Sequence, residues 1–453
     1  MLVLFLDLFA GKNKNLLVLA SLVGLILAGF SAFGQVNLPV SSFGGSYVVD
    51  HLSVFFTLIF TFSSALAILL SLEYNPQHGI RAGEYYALIL FCTVGMIMLA
   101  CATDMIMTFL GIEVVSICLY VLAGIRRDDP KSNESALKYF LLGAFATGFL
   151  VYGMTLVYGA TGTTKLAGIA EAIHTGQTNS DTLLLLGSVL LIIGFGFKVA
   201  SVPFHMWAPD VYEGAPSPVT AFMAVGPKAA SLVAFYRVFG TALPEIGTSW
   251  DTLLMAVAVI TMVIGNFGAI VQTNIKRLLA YSSISHVGYL LVAIIARNSL
   301  AGSAIAYYMM AYAFMIFGTF GIIIMFGDKD SENLEISNFA GLGLKQPAIA
   351  ICMTIFMLSL GGMPPFAGFV AKFYIFSAAI KEGYVILVVI AVLNSVVALY
   401  YYLRIIVLMY MKDAERELEL TVGPVTMAVV AIAVFGTIEM GIFPDPILQL
   451  TQQ

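Results

Sequence analysis

Thirteen stretches of this chain are apolar for about twenty residues at a time, long enough at about 1.5 Å per helical residue to cross the ~30 Å hydrocarbon core of a bilayer. They fall near residues 15–33, 49–72, 84–102, 104–125, 135–159, 182–202, 216–242, 250–271, 275–296, 301–327, 347–380, 384–410 and 422–444. Blocks of that length satisfy their backbone in lipid as helices. The composition agrees: 60% of the 453 residues are hydrophobic and 10% charged, against roughly 25% charged in a soluble protein. Too few charges remain to coat a globule, which excludes a soluble enzyme, a nucleic-acid binder and a disordered scaffold. The chain is expected to be an all-α, polytopic membrane protein.

Residues 1–10, MLVLFLDLFA, look like the second half of one more helix. Counted as the first of about fourteen spans, they sort the basic residues by side. The odd connections hold Lys12, Lys14, Arg81, Arg126, Arg127, Lys131, Lys138, Lys276, Arg277, Lys329, Lys345, Lys412 and Arg416, and the even ones only Lys165, Arg297 and Lys381. Thirteen against three places the odd connections in the cytoplasm and both termini on the outer, periplasmic side. Lys276 and Arg277 are expected to be anchors of this kind. No basic region precedes the first apolar run, so no cleavable signal peptide is expected. Cys92, Cys101, Cys118 and Cys352 stand singly in apolar blocks and form no CxxC pair; they are expected to pack as small hydrophobes rather than hold a metal or cluster.

Two helices should be interrupted. Pro203 follows GFGFKVASV, and Pro364 and Pro365 stand in GGMPPFAGFVAKF. Proline removes a donor and clashes with the preceding turn, and a break at membrane depth is tolerated only inside protein or against a wet cavity. The breaks are about five spans apart, and a shift of five helices reverses orientation. Two inverted five-helix repeats with sites near the midplane follow from that spacing; two ordinary proline kinks are the plainer alternative.

Five of the twenty-one basic residues lie within spans. Arg237 and Arg404 are near helix ends and can reach the interface. Lys198, Lys228 and Lys372 cannot, and each costs about 2.5–3.5 kcal/mol at the bilayer centre unless a partner or water receives it. Glu113, in TFLGIEVVSICLY, has no charge within eight residues on either side. Burial disfavours the charge on a carboxyl or an amine and a facing opposite charge restores it, so Glu113 with Lys198 is a candidate switch for loading protons; a structural ion pair is the alternative. Lys228 and Lys372 extend this to a row of loading sites. His205 and His286 are possible relays, since an imidazole titrates at about pH 6.5; either could equally be a hydrogen-bonded structural group. Asp210 and Glu213 are placed in a loop after the first break, capping backbone or rimming an aqueous mouth. Glu439 stands alone in the last helix, without an evident role, and DAERELEL at 413–420 reads as a solvated connection.

Three segments carry a resemblance. GFGFKVASVPFHMWAPDVYEGAPSPVTAFMAVGPKAAS closely resembles the signature of the subunit N family of respiratory complex I, the proton-pumping NADH:quinone oxidoreductase, known in mitochondria and plastids as subunit 2. NIKRLLAYSSISHVGY and LGGMPPFAGFVAKF are similar to the same family, and the resemblance runs from about residue 45 to near the end. It implies an antiporter-like subunit of fourteen helices with repeats at spans 4–8 and 9–13 and broken spans 7 and 12. The corresponding division is 1–83 for helices 1–3, 84–242 and 243–410 for the repeats, and 411–453 for helix 14 and the tail.

Carried over position by position, the resemblance implies that Glu113, Lys198, Lys228 and Lys372 take part in proton translocation. Lys372 tells against the related subunit M, which would have a glutamate there. The chain's end soon after the last span fits N rather than the longer subunit L. FMN, iron–sulfur clusters and quinone would belong to other subunits, and this chain would carry no cofactor. Its partners would be the other membrane subunits of the complex, lipids and protons, with no nucleic acid, in a bacterial inner membrane. A subunit of a multi-subunit cation/proton antiporter or of a membrane-bound hydrogenase shares these features and is the alternative; a lone solute transporter and a membrane scaffold fit less well.

Overall fold

The structure is a computed structural model that describes residues 1–9, 15–36, 40–80, 82–243, 247–327, 334–413 and 420–452. Lys12, Lys14, Arg81, Lys329, Arg416 and most of the 413–420 tail lie outside the described residues. The chain is a bundle of helices. In order they are α1 (Leu2–Phe9), α2 (Asn15–Phe33), α3 (His51–Gln77), α4 (Ala82–Cys101), α5 (Met105–Ala123), α6 (Pro130–Thr161), α7 (Leu166–His174) and α8 (Asp181–Val199). Then come α9 (Trp207–Gly214), α10 (Ser217–Arg237), α11 (Gly247–Ile270), α12 (Ile275–Ala296), α13 (Ser299–Met325) and α14 (Leu342–Lys345). The last are α15 (Pro347–Gly361), α16 (Ala367–Lys381), α17 (Val385–Met411), α18 (Pro424–Ile442) and α19 (Asp445–Gln452).

Twelve helices among the described residues are long and apolar enough to cross a membrane. The block at 347–380 is divided at its prolines, as expected, into α15 and α16, fifteen residues each. Three features were not expected: the hairpin of β1 (Val40–Ser42) and β2 (Tyr47–Val49), the amphipathic α7, and the helical state of 207–214. Helix α6 starts five residues before the expected 135, because Asp129 caps it by accepting from the Lys131 N–H and Pro130 occupies its first turn, where no donor is missed. Lys131 and Lys138 therefore ride on a helix rather than in a connection. All four cysteines are free, three of them buried.

Helices α10, α12 and α13 form the centre. Their apolar windows are 94%, 94% and 89% buried, against 28% for α2 and α6 on the periphery. A helix enclosed by others has no lipid-facing side, so its polar residues must all find partners within protein. Around this centre α11 packs on α12, α3 and α13 on α10, α6 on α8, and α18 on α13. One edge is tied by Arg237, which donates to both carboxylate oxygens of Asp50 at 2.6 and 2.8 Å. Burial pushes the Asp50 carboxyl up, but Arg237 and the Ser53 groups that Asp50 caps outweigh it and leave it below its usual range.

The last long helix is capped from afar. Its N-cap, Gly423, has no side chain to offer. Glu73 of α3 does that work, accepting from the N–H groups of Val425 and Thr426 at 3.0 Å each and from the Thr426 hydroxyl at 2.6 Å. A Cβ on residue 423 would stand 1.9 Å from the Glu73 carboxylate, so a side chain there would push that carboxylate off its donors. Glu73→Ala should orphan these donors and cost about 1–3 kcal/mol. The check is the midpoint of thermal unfolding in detergent, which should fall, and fall less in Glu73→Gln, which keeps an acceptor.

Candidate functional site

Both expected breaks are present, and each ends a helix in the same way. Helix α8 closes on Ala200 in the left-handed conformation (φ 62°) and α15 on Gly362 (φ 85°). The following Val202–Pro203 and Pro364–Pro365 bonds are cis. For alanine the left-handed region costs about 1–2 kcal/mol. The backbone groups freed at the first break are met from outside: the Val202 N–H donates to Thr261 Oγ1 of α11 at 3.0 Å, and the Trp207 indole donates to the Phe197 carbonyl at 3.0 Å. At the second break the carbonyls of Leu360 and Gly361 are met by Lys372 itself, at 3.4 and 3.0 Å. An ammonium at the C-terminal end of a half-helix is favoured by the helix dipole.

The three lysines of the spans each have a hydroxyl partner. Lys198 donates to Ser116 of α5 at 2.8 Å. Lys228 is 4% exposed and donates to Ser283 of α12, beneath the ring of Tyr212 at 5.7 Å. Lys372 is 5% exposed and donates to Ser395 of α17 at 2.7 Å, with the Tyr289 ring 4.9 Å away. Glu113 stands one turn before Ser116 on α5, and its carboxylate accepts from Thr147 of α6 at 2.9 Å. The Glu113 and Lys198 charges thus share one region but are held by different hydroxyls, and among the described residues they form no direct ion pair.

Between Lys198 and Lys228 lies a cavity of about 20 Å³, lined by both lysines together with Ser116, Ser231, Tyr139 and Trp207. About 10–15 Å³ on this measure suffices for one water, and the lining offers several polar partners. On the far side of Lys228, His286 is 3% exposed and lies between two tyrosines, Nδ1 2.5 Å from the Tyr308 hydroxyl and Nε2 3.1 Å from that of Tyr402, which also meets Ser282. Tyr289 packs 5.9 Å from the His286 ring and, as noted, against Lys372. The hydroxyls of Tyr212, Tyr289 and Tyr312 are buried along this line and, among the described residues, make no well-formed hydrogen bond, positions that internal water commonly fills. Beyond Lys372, Asn394 next to Ser395 bonds Asn266, which accepts from Tyr401 at 3.2 Å.

His205 is placed differently. It sits half-buried at the first break, beside the exposed Pro203 and Met206; among the described residues its Nδ1 has no partner and no hydrogen bond joins it to the lysines. Asp210 and Glu213 lie on helix α9 rather than in a loop, and they cap no backbone group; cations hold them. Lys276, expected as an anchor facing water, is fully buried. The serines beside His286 in the sequence, Ser282, Ser283 and Ser285, mark a polar stripe, but not that Ser283 meets Lys228; Ser116, Ser395 and the tyrosines around His286 carry no such signal. A serine or tyrosine in an apolar run is common, so only the facing helix marks these as partners.

Among the described residues no group of three or more His, Cys, Asp or Glu is placed to hold a metal ion. The family model described as NADH:quinone oxidoreductase/Mrp antiporter, TM, matches residues 102–398. The NADH-quinone oxidoreductase subunit N of Trichlorobacter lovleyi is 50% identical over 444 residues, 98% of this chain and 91% of that protein. A chain of respiratory complex I from Thermus thermophilus superposes with a TM-score of 0.82 at 33% identity, covering 99% of each chain. A chain of the Mrp complex from Dietzia superposes at 0.86 with 20% identity, covering 100% of this chain and 94% of the other, which is a likeness of fold. Ser231→Val should fill the cavity between Lys198 and Lys228. A high-resolution map of the assembled particle should show an ordered water there in the unaltered chain and none in the variant.

Proposed function

The chain belongs to the subunit N family of NADH-quinone oxidoreductases, and we propose that within that enzyme it carries protons across the membrane by a buried Glu/Lys relay. It is an antiporter-like membrane subunit of an oxidoreductase complex, with the redox cofactors carried by other subunits. The observation that carries the relay reading is the cavity shared by Lys198 and Lys228, with a hydroxyl on each ammonium. Changes driven by quinone reduction arrive through neighbouring membrane subunits and alter the balance between Glu113 and Lys198. Lys198 passes its proton through the cavity to Lys228. The Ser283, His286 and Tyr289 region leads on to Lys372, which releases the proton outside.

Several features support this. A lysine is costly at membrane depth, and each of these three is received by a hydroxyl, Lys372 also by half-helix carbonyls. The two breaks, alike in their left-handed caps and each beside a lysine, support two five-helix repeats at 84–242 and 243–410 related by inversion. The bias of basic residues supports release on the side opposite Lys131, Lys138 and Arg277, and outer placement of both termini in a bacterial inner membrane. His286 fits a relay, held between two hydroxyls; His205 fits a structural role at the break. The antiporter alternative has the shared family model and a likeness of fold behind it, while about half of the aligned positions are identical to a named subunit N.

The test is replacement in the assembled complex. Glu113→Ala and Lys198→Ala should each depress proton pumping while leaving electron transfer from NADH to artificial acceptors largely intact. Unchanged pumping in both rejects the assignment.

A further inference from the structure

Asp210 and Glu213 have no part in the relay, yet they are among the most heavily partnered acids in the structure. They lie three residues apart on α9, and cations from two other helices hold them. Arg277 of α12 reaches both, at 2.7 Å to Asp210 and 3.0 Å to Glu213. Lys138 of α6 holds Asp210 at 2.6 Å, and Lys131 holds Glu213 at 3.1 Å. Beside Arg277, the Lys276 ammonium lies 2.6 Å from the carbonyl of Ala215, the residue that closes α9. Lys276 is 0% exposed, whereas a lysine serving only as an interface anchor keeps its head in water. The first turn of α12 therefore grips α9 twice, by its acidic side chains and by its C-terminal carbonyl, where a cation is favoured by the helix dipole.

Helix α9 is also the wall of the relay. Trp207 at its start lines the cavity between Lys198 and Lys228 and donates to the carbonyl of Phe197, the residue before Lys198. Tyr212 in its middle covers the Lys228 ammonium. Eight residues are too few to make a helix stable by itself, so the placement of α9 is decided by what holds it. Two turns further along α12 stands Ser283, the acceptor for Lys228. One rigid helix thus carries both the clamp and a relay contact.

We propose that Arg277 and Lys276 are positioning residues for proton transfer: by clamping α9 they keep Trp207 and Tyr212 against the Lys198–Lys228 cavity, and loss of the clamp displaces these walls of the path between the two lysines. This rests on the relay reading given above. The experiment uses the whole complex in liposomes, with protons moved and NADH-to-quinone electrons counted together. A displacement of about 1 Å between transfer partners costs up to roughly 100-fold in rate. Arg277→Gln, and Asp210→Asn with Glu213→Gln, should therefore lower the ratio of protons to electrons as far as Lys198→Ala does, and Arg277→Lys should recover most of it. A role confined to folding would lower assembly and turnover together and leave the ratio of the assembled enzyme unmoved, which overturns the proposal. If Arg277→Gln does not assemble, Glu213→Gln and Lys131→Gln alone, which spare part of the clamp, replace it: a graded fall supports the proposal and a wild-type ratio in both overturns it. A wild-type ratio in the clamp variants beside a lowered one in Lys198→Ala removes the clamp and keeps the relay. A wild-type ratio in Lys198→Ala removes the relay, and the clamp with it.

Discussion

A charge or an unpaired backbone group in hydrocarbon has nowhere to turn except to the protein that carries it. In an apolar span each such group costs several kcal/mol, and this chain places three lysines, a glutamate and two helix breaks within its apolar helices. The arrangement of the bundle answers that cost. Lys372 and the open end of α15 satisfy each other, the ammonium lying on the carbonyls that the break exposes. At the first break the exposed carbonyl is taken by an indole, and Lys198 is left with a serine and a small cavity. The two lysines are therefore not equivalent. One is held by fixed dipoles, the other faces a space in which its contacts can change.

The partners come from helices across the bundle. Thr261 of α11 completes the backbone of a break that lies sixty residues earlier, Ser283 of α12 receives Lys228, and Arg277 holds α9. A shift of α11 or α12 would therefore alter the contacts of the first break and of Lys228. Rigid helices with a few polar contacts suit such transmission, because packed interfaces move between discrete arrangements rather than deform smoothly. Fully enclosing α10 and α12 is what makes so polar a line possible in a membrane, since neither helix offers a face to lipid.

Much of the architecture could be read in the chain without coordinates. The helix blocks follow from the length of hydrocarbon they must cross, and the breaks follow from proline chemistry; both are local causes. The lysines and Glu113 were conspicuous because a charge stands out in an apolar run. Less was legible where local signals compete. The start of α6 was set by a cap at Asp129 that precedes the apolar pattern, and α9 is a helix held by distant cations through a tract whose prolines and glycine argue for a loop. Lys276 looked like an anchor by its position beside Arg277, and only its neighbours show it to be enclosed.

By itself the sequence determined that the chain resides in lipid, where its helices run, where two of them break and which side chains carry charge at depth, because each of these depends on a residue and its immediate neighbours. The tertiary structure decided which hydroxyl each lysine meets, that Glu113 and Lys198 are bonded to different hydroxyls, Thr147 and Ser116, and that His286 lies near Lys228 and Lys372 while His205 sits at the first break. Those outcomes depend on which helix faces which. Serines and tyrosines on a helix look alike in sequence until packing turns one of them toward a charge.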